Sequence, residues 1–158
     1  MNDAISNQRL ALVHPALAAK VNLAANALAM QGTYFRVAQG LRTYAQQDAL
    51  YAQGRTAAGH IVTDARGGYS DHNFGCAVDC VPFLSGTGGD LNWNVNTDQF
   101  QAMVQALKAQ GLLYGGDWIH VHGDLDHFYI GPATPIDADR QVFAKGGLPA
   151  VWARYPQD

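Results

Sequence analysis

The sequence predicts an α+β fold, with a small antiparallel sheet and helices packed to one side. Two observations point to it. Three segments, 15–30, 44–53 and 97–111, carry helical apolar spacing or helix-start and helix-stop signals. Four short runs, 35–39, 74–83, 118–122 and 126–130, have strand length and composition, and Gly123 between the last two suggests a hairpin.

The elements follow in order. Leu17, Val21, Ala24 and Leu28 recur at helical spacing, Pro15 suits a first turn and Gly32 a stop. Phe35 to Gln39 reads as a strand. Thr43-Tyr44-Ala45-Gln46 has the spacing of a capping box, so a helix runs from about Tyr44 to Gln53 and stops at Gly54. Residues 55–71 form a long loop rich in glycine and polar residues, of a length that is often functional. Phe74 to Phe83 is the central strand, ended by Pro82 and the glycine-rich turn at 86–89. Asn96 or Thr97 caps a helix whose buried face is Phe100, Met103, Val104 and Leu107. From about residue 131 the tail is irregular, with one short helix near 138–144.

The 158 residues suit one domain with a sizeable core, and no linker or repeat divides 1–158. An apolar fraction of 48% excludes a disordered chain, and a net charge of −3 gives no reason to expect a nucleic-acid partner. No apolar run approaches the ~20 residues of a membrane helix. Arg9, His14, Pro15 and Lys20 interrupt the apolar N-terminal region, so no secretory signal is read there. Cys76 and Cys80 sit four apart in one strand, ~13 Å by the ~3.3 Å rise, too far for a disulfide. They read as buried structural thiols made in a reducing cytoplasm, with metal binding as the rival account.

Ser70 to Asp79 carries the first candidate chemistry. His72 and Asp79 are a suitable pair for a borderline metal such as zinc. Asp124-Leu125-Asp126-His127 can place a third donor and a free carboxylate in one cavity. His14 and His60 read as ordinary polar residues. His120-Val121-His122-Gly123-Asp124 begins like the H-x-H-x-D-H signature of metallo-β-lactamase-type hydrolases, but Leu125 stands where the last histidine belongs.

Together these stretches resemble the zinc peptidases that include D-alanyl-D-alanine carboxypeptidases, vancomycin-resistance dipeptidases and the L-alanyl-D-glutamate peptidases of phage endolysins, most closely the last. The resemblance spans roughly residues 8–130. It rests on Gln39-Gly40-Leu41-Arg42-Thr43-Tyr44, the helix with Gln47 and Leu50-Tyr51, and Gln53-Gly54-Arg55-Thr56. It continues through Gly67-Gly68-Tyr69-Ser70-Asp71-His72-Asn73-Phe74-Gly75, Ala77-Val78-Asp79, Gly115-Gly116-Asp117-Trp118 and Asp124-Leu125-Asp126-His127-Phe128. The combination S-x-H, H-x6-D and a later D-x-x-H with an upstream arginine is specific where each piece alone is weak.

The resemblance implies a Hedgehog/D-Ala-D-Ala peptidase-like fold with zinc held by His72, Asp79 and His127. It makes Asp124 the catalytic acid/base and Arg42 the group facing the substrate carbonyl or carboxylate. Ser70, Gln47 and Trp118 are supporting or substrate-binding residues. Tyr69, Phe74 and Trp118 fit core and substrate wall equally. Arg42 has a second account, a salt bridge at the start of its helix. One departure is Asp126, where the family often has proline; it adds a second carboxylate beside the site.

The chemistry of the residues agrees. Two neutral imidazoles and a carboxylate leave zinc a position for water, whose pKa can fall to about 7. An aspartate beside it can take the proton and pass it to the leaving amine. The expected function is a zinc-dependent endopeptidase cutting the L-alanyl-D-glutamate bond of the peptidoglycan stem peptide. It would be a phage or prophage endolysin, made in the host cytoplasm and released to the wall at lysis. It is expected to act as a monomer without membrane insertion. The rivals are a D-alanyl-D-alanine carboxypeptidase or dipeptidase with the same site, and a non-catalytic zinc-binding wall-recognition module.

Overall fold

The computed structural model describes residues 3–118, 124–131 and 136–157. Among the described residues, four antiparallel strands run in the order β1-β2-β4-β3: β1 Phe35–Gln39, β2 Ala77–Pro82, β4 His127–Tyr129 and β3 Leu113–Tyr114. The helices are α1 Ala4–Leu10, α2 Pro15–Ala29, α3 Tyr44–Ala52, α4 Asp98–Ala109 and α5 Ile136–Trp152.

The pleat divides the sheet into two faces with different tasks. Val37 pairs with Cys80, and Val78 with Phe128; all four are buried in the core with Leu17, Val21, Ala24 and Leu28 of α2 and Phe100, Met103 and Leu107 of α4. On the other face Asp79 lies opposite His127. Alternation along a strand makes this inevitable: a core at 78, 80 and 128 sends 79 and 127 the other way.

Local chemistry fixes the helix starts. Thr43 accepts from the Gln46 N–H at 3.2 Å, and the Gln46 side chain accepts from the Thr43 N–H at 2.8 Å, which completes the capping box. Thr97 caps α4 through the Phe100 N–H. His14 caps α2: Nδ1 accepts from the Ala16 N–H at 3.1 Å while Nε2 donates to the Trp152 carbonyl at 3.2 Å. This buried histidine is structural, and His60 is exposed. Cys76 and Cys80 are both free and buried, and burial pushes both thiols up in pKa, so neither offers a thiolate at neutral pH.

Four features differ from the sequence reading. The strand expected from Phe74 begins only at Ala77, because Asp71–Phe74 coils into a 3-10 turn closed by Gly75 at φ +65°. The partner of β4 is Leu113–Tyr114; Trp118 ends a second 3-10 turn, Gly115–Asp117, instead of opening a strand. Residues 119–123, with His120, His122 and the hairpin glycine, lie outside the described residues. The tail is not irregular: α5 continues to Trp152 through a kink at Gly147, φ +64°, and buries Asp139 and Val151. Finally, α1 was not anticipated. Asp3 caps it and binds Arg36 of β1, and the Ser6 hydroxyl accepts the Val37 N–H at 2.9 Å.

Candidate metal centre

Three chain segments converge on the polar face of the sheet. Asp79 and His127 arrive as a cross-strand pair on β2 and β4. His72 comes from the 3-10 turn just before β2. That turn is anchored on both sides. The Arg42 N–H donates to the His72 carbonyl at 2.9 Å. The buried Asn73 side chain donates to the Arg42 carbonyl at 2.9 Å and accepts the Gly68 N–H at 2.8 Å.

The three donor atoms form a nearly equilateral triangle. His72 Nε2 is 3.0 Å from Asp79 Oδ1 and 3.2 Å from His127 Nδ1, and His127 Nδ1 is 3.3 Å from Asp79 Oδ1. A tetrahedral zinc ion with bonds of about 2.0–2.1 Å sets its donors about 3.3 Å apart, so the residues fit it. Protonation chemistry agrees. His72 Nδ1 lies 2.8 Å from the Gly40 carbonyl and must donate to it, which leaves the Nε2 lone pair of the neutral ring facing the triangle. A lone pair, a second imidazole nitrogen and a carboxylate oxygen can share that space only around a cation. The titration shifts say the same. Burial works to raise the Asp79 pKa, yet the two histidines outweigh it and hold the carboxyl well below its usual range. Burial works to lower the His127 pKa, but Asp79 raises it above 6.5. In the absence of a metal, a proton is drawn to the same point.

The remaining sequence-predicted residues surround this triangle. The Arg42 guanidinium is largely buried, 3.6 Å from Asp79 Oδ2, and donates to Gln47 Oε1 at 2.7 Å. Arg42 thus has a salt-bridge partner, but it is Asp79 of β2 and not a group at the start of its own helix. Gln47 is fully buried and its amide donates to the Ala65 carbonyl at 2.8 Å and to Thr63 Oγ1 at 3.3 Å, tying Arg42 to the long loop. Ser70 precedes the His72 turn and lines the cleft; its carbonyl accepts the Asn73 N–H. The Trp118 ring lies 5.3 Å from that of His127, and its Nε1 donates to the Tyr129 hydroxyl at 3.1 Å. Asp124 and Asp126 each bring a carboxylate oxygen to within 4.8 Å of Asp79 and of each other. Burial, the Asp79 charge and a hydrogen bond with Asp124 push Asp126 up to about 8.

These groups open into a cleft of about 750 Å³, whose far wall includes Leu50, Ile61, Val62 and Tyr69. Of that wall only Tyr69 was named from the sequence as a substrate-wall candidate; Ile61 and Val62 lie in the exposed 55–71 loop, which has no periodicity to read. Two supporting residues were also missed. Asn73 has no signal beyond its place in the motif. Gly115 is a seat: a Cβ there would stand 2.6 Å from the Asp124 carbonyl oxygen and 3.1 Å from His127 Cβ.

Comparison with known proteins places this arrangement in context. Residues 10–115 match a family model described as VanY, D-alanyl-D-alanine carboxypeptidase. The peptidoglycan L-alanyl-D-glutamate endopeptidase CwlK of Bacillus subtilis strain 168 is 36% identical over 113 residues, which cover 67% of this chain and 66% of CwlK. The match thus spans just under two thirds of that relative. The L-Ala D-Glu endopeptidase ChiX of Serratia marcescens has a similar fold, with a TM-score of 0.53, 24% identity, and 81% and 87% of the two chains covered. A vancomycin-resistance D,D-pentapeptidase VanY from a VanB-type cassette, solved in complex with Zn(II), gives a TM-score of 0.52 at 19% identity, over 82% of this chain and 77% of its own.

Proposed function

Because the chain belongs to the VanY family of D-alanyl-D-alanine carboxypeptidase-type proteins, we propose that it is a zinc-dependent endopeptidase that hydrolyses the L-alanyl-D-glutamate bond of the peptidoglycan stem peptide. The observation that carries the reading is the donor triangle of His72, Asp79 and His127, open to a cleft that also holds Asp124 and Arg42. The choice of bond is supported by the likeness to CwlK.

Zinc held by the three donors would supply Lewis acidity and bring the pKa of a water down to about 7. The rest falls to the chain. Asp124, exposed at the cleft mouth and three residues before His127, takes the proton of the attacking water and returns it to the leaving amine. Asp126, more buried, is hydrogen-bonded to Asp124 and places a second carboxylate beside it. Arg42, fixed by Gln47, directs positive charge at the carbonyl oxygen as it becomes negative. His72 is held in one tautomer by the Gly40 carbonyl, and Asp79 stays ionised between two imidazoles and Arg42.

In this reading the protein is a phage or prophage endolysin whose substrate is the host wall, reached at lysis. The second reading, a D-alanyl-D-alanine carboxypeptidase, is favoured by the description of the matching family. Purified peptidoglycan is digested with the protein, with and without chelator, and the new termini are identified. New amino groups on D-glutamate, lost with chelator, support the proposal. Released D-alanine supports the second reading, and bound zinc without cleavage would mark a recognition module.

A further inference from the structure

The C-terminal helix lies beyond the residues matched by the family model, yet it touches Tyr69, a residue that lines the cleft. The guanidinium of Arg140 lies over the ring of Tyr69, 4.1 Å from its centroid, and donates to the Tyr69 hydroxyl. Asp137, one turn earlier on the same helix, accepts from Arg140 at 3.1 Å and fixes its direction. Tyr69 itself lines the cleft, one residue before Ser70 and three before His72, and it is 45% exposed. Farther along α5, Phe143 packs on Tyr44 and Phe74, and Trp152 Nε1 donates to the Phe74 carbonyl at 2.7 Å. The helix therefore grips the 69–74 segment at both ends.

We propose that Arg140 is a positioning residue for substrate: it holds the Tyr69 ring as a fixed wall of the cleft, so that part of the affinity for the stem peptide is set by the C-terminal helix. An aromatic ring free to swing would have to be ordered by each incoming peptide, at an entropic cost borne in binding. Stacked under a guanidinium and held by its hydroxyl, it is ordered beforehand. Arg140 does not line the cleft and acts only through Tyr69.

The inference rests on the peptidase reading, and the test separates the two. Steady-state turnover of a synthetic stem tetrapeptide is measured for the wild type, Arg140→Ala, Tyr69→Ala and the double variant, with zinc content and Tm recorded for each. Arg140→Ala is expected to raise KM about fivefold with kcat within twofold, since Arg140 is a partly exposed surface residue. Tyr69→Ala is expected to raise KM at least as much, and the double variant to match Tyr69→Ala, because the arginine has lost the group through which it acts. An unchanged KM in Arg140→Ala, or effects that multiply in the double variant, overturns the inference while leaving the peptidase reading intact. A fall in kcat together with zinc content would show a merely structural role and overturn it as well. No turnover by the wild type sinks the peptidase reading, and this inference with it.

Discussion

Asp79 and His127 face each other directly across β2 and β4, 48 residues apart in sequence, with Nδ1 3.3 Å from Oδ1. Neither strand carries a complete site. Pairing them in this register, with His72 delivered by the turn before β2, creates the donor triangle. A slip of β4 by one residue would send His127 into the core and leave Asp79 without it.

The proposed division of labour in the cleft separates metal binding from proton transfer. Asp124→Ala is expected to retain stoichiometric zinc and lose about 10²–10⁴-fold in kcat, the range for a general acid/base. His72→Ala is expected to lose both zinc and hydrolysis. Metal analysis beside turnover on the same preparations decides it; near-full turnover by Asp124→Ala would remove that residue from its assigned role.

Metal removal should be visible in stability as well as activity. A ligand at a hundredfold excess over its Kd stabilises by about 2.7 kcal/mol. For a domain of this size that is a Tm difference of about 5–10 °C between zinc-loaded and chelated protein. Coincident melting curves would mean that the triangle holds no ion under those conditions.

Gly115 is expected to tolerate no side chain. A Cβ 2.6 Å from the Asp124 carbonyl must move backbone, and the Asp124–His127 turn carries both the proposed proton acceptor and a proposed metal donor. Gly115→Ala should weaken zinc binding about 10–100-fold, the cost usual for a disturbed supporting shell. Competition with a chromophoric chelator measures it, and an unchanged affinity would show that the turn can relax.

Acid sensitivity has a separate origin at the far end of β1. Burial acts to raise the Asp3 pKa, but hydrogen bonds from Arg36 and Ser6 more than offset it and hold it at about 2, against an ordinary 3.8. A depressed carboxyl stabilises the fold above its unfolded pKa and loses that contribution as pH falls through the folded one. The Asp3 contribution, on the order of 2 kcal/mol, should be intact above pH 4 and gone near pH 2. Unfolding of chelated wild type and Asp3→Asn should show a stability gap at pH 7 that closes between pH 4 and 2. A gap independent of pH would assign the effect to packing.

Much of the scaffold was legible because local rules were obeyed. The Thr43 capping box, the α2 spacing and the Phe100–Leu107 stripe each appear where the sequence puts them. The motif His72, Asp79, Asp124, His127 could be read because its pattern resembles that of a known peptidase family, and the structure brings all four to one cleft. What escaped was set by tertiary context. A two-residue strand such as Leu113–Tyr114 has no period, and Gly146-Gly147 and Pro149 disguise the second half of α5. The β1–β2 register also shifts between Val37 and Gln39. That bulge re-aims the chain just before the Gly40 carbonyl that orients His72, and nothing in Val37-Ala38-Gln39 announces it.

The 48-residue separation of Asp79 and His127 bears on when the donor triangle can assemble. Translation releases the N-terminal part first. A nascent chain exposed through β2 has His72 and Asp79 but neither His127 nor Asp124. Two donors hold zinc poorly, and no proton acceptor is yet in place. Synthesis order itself thus delays assembly: the donor triangle closes only after β4 has docked beside β2.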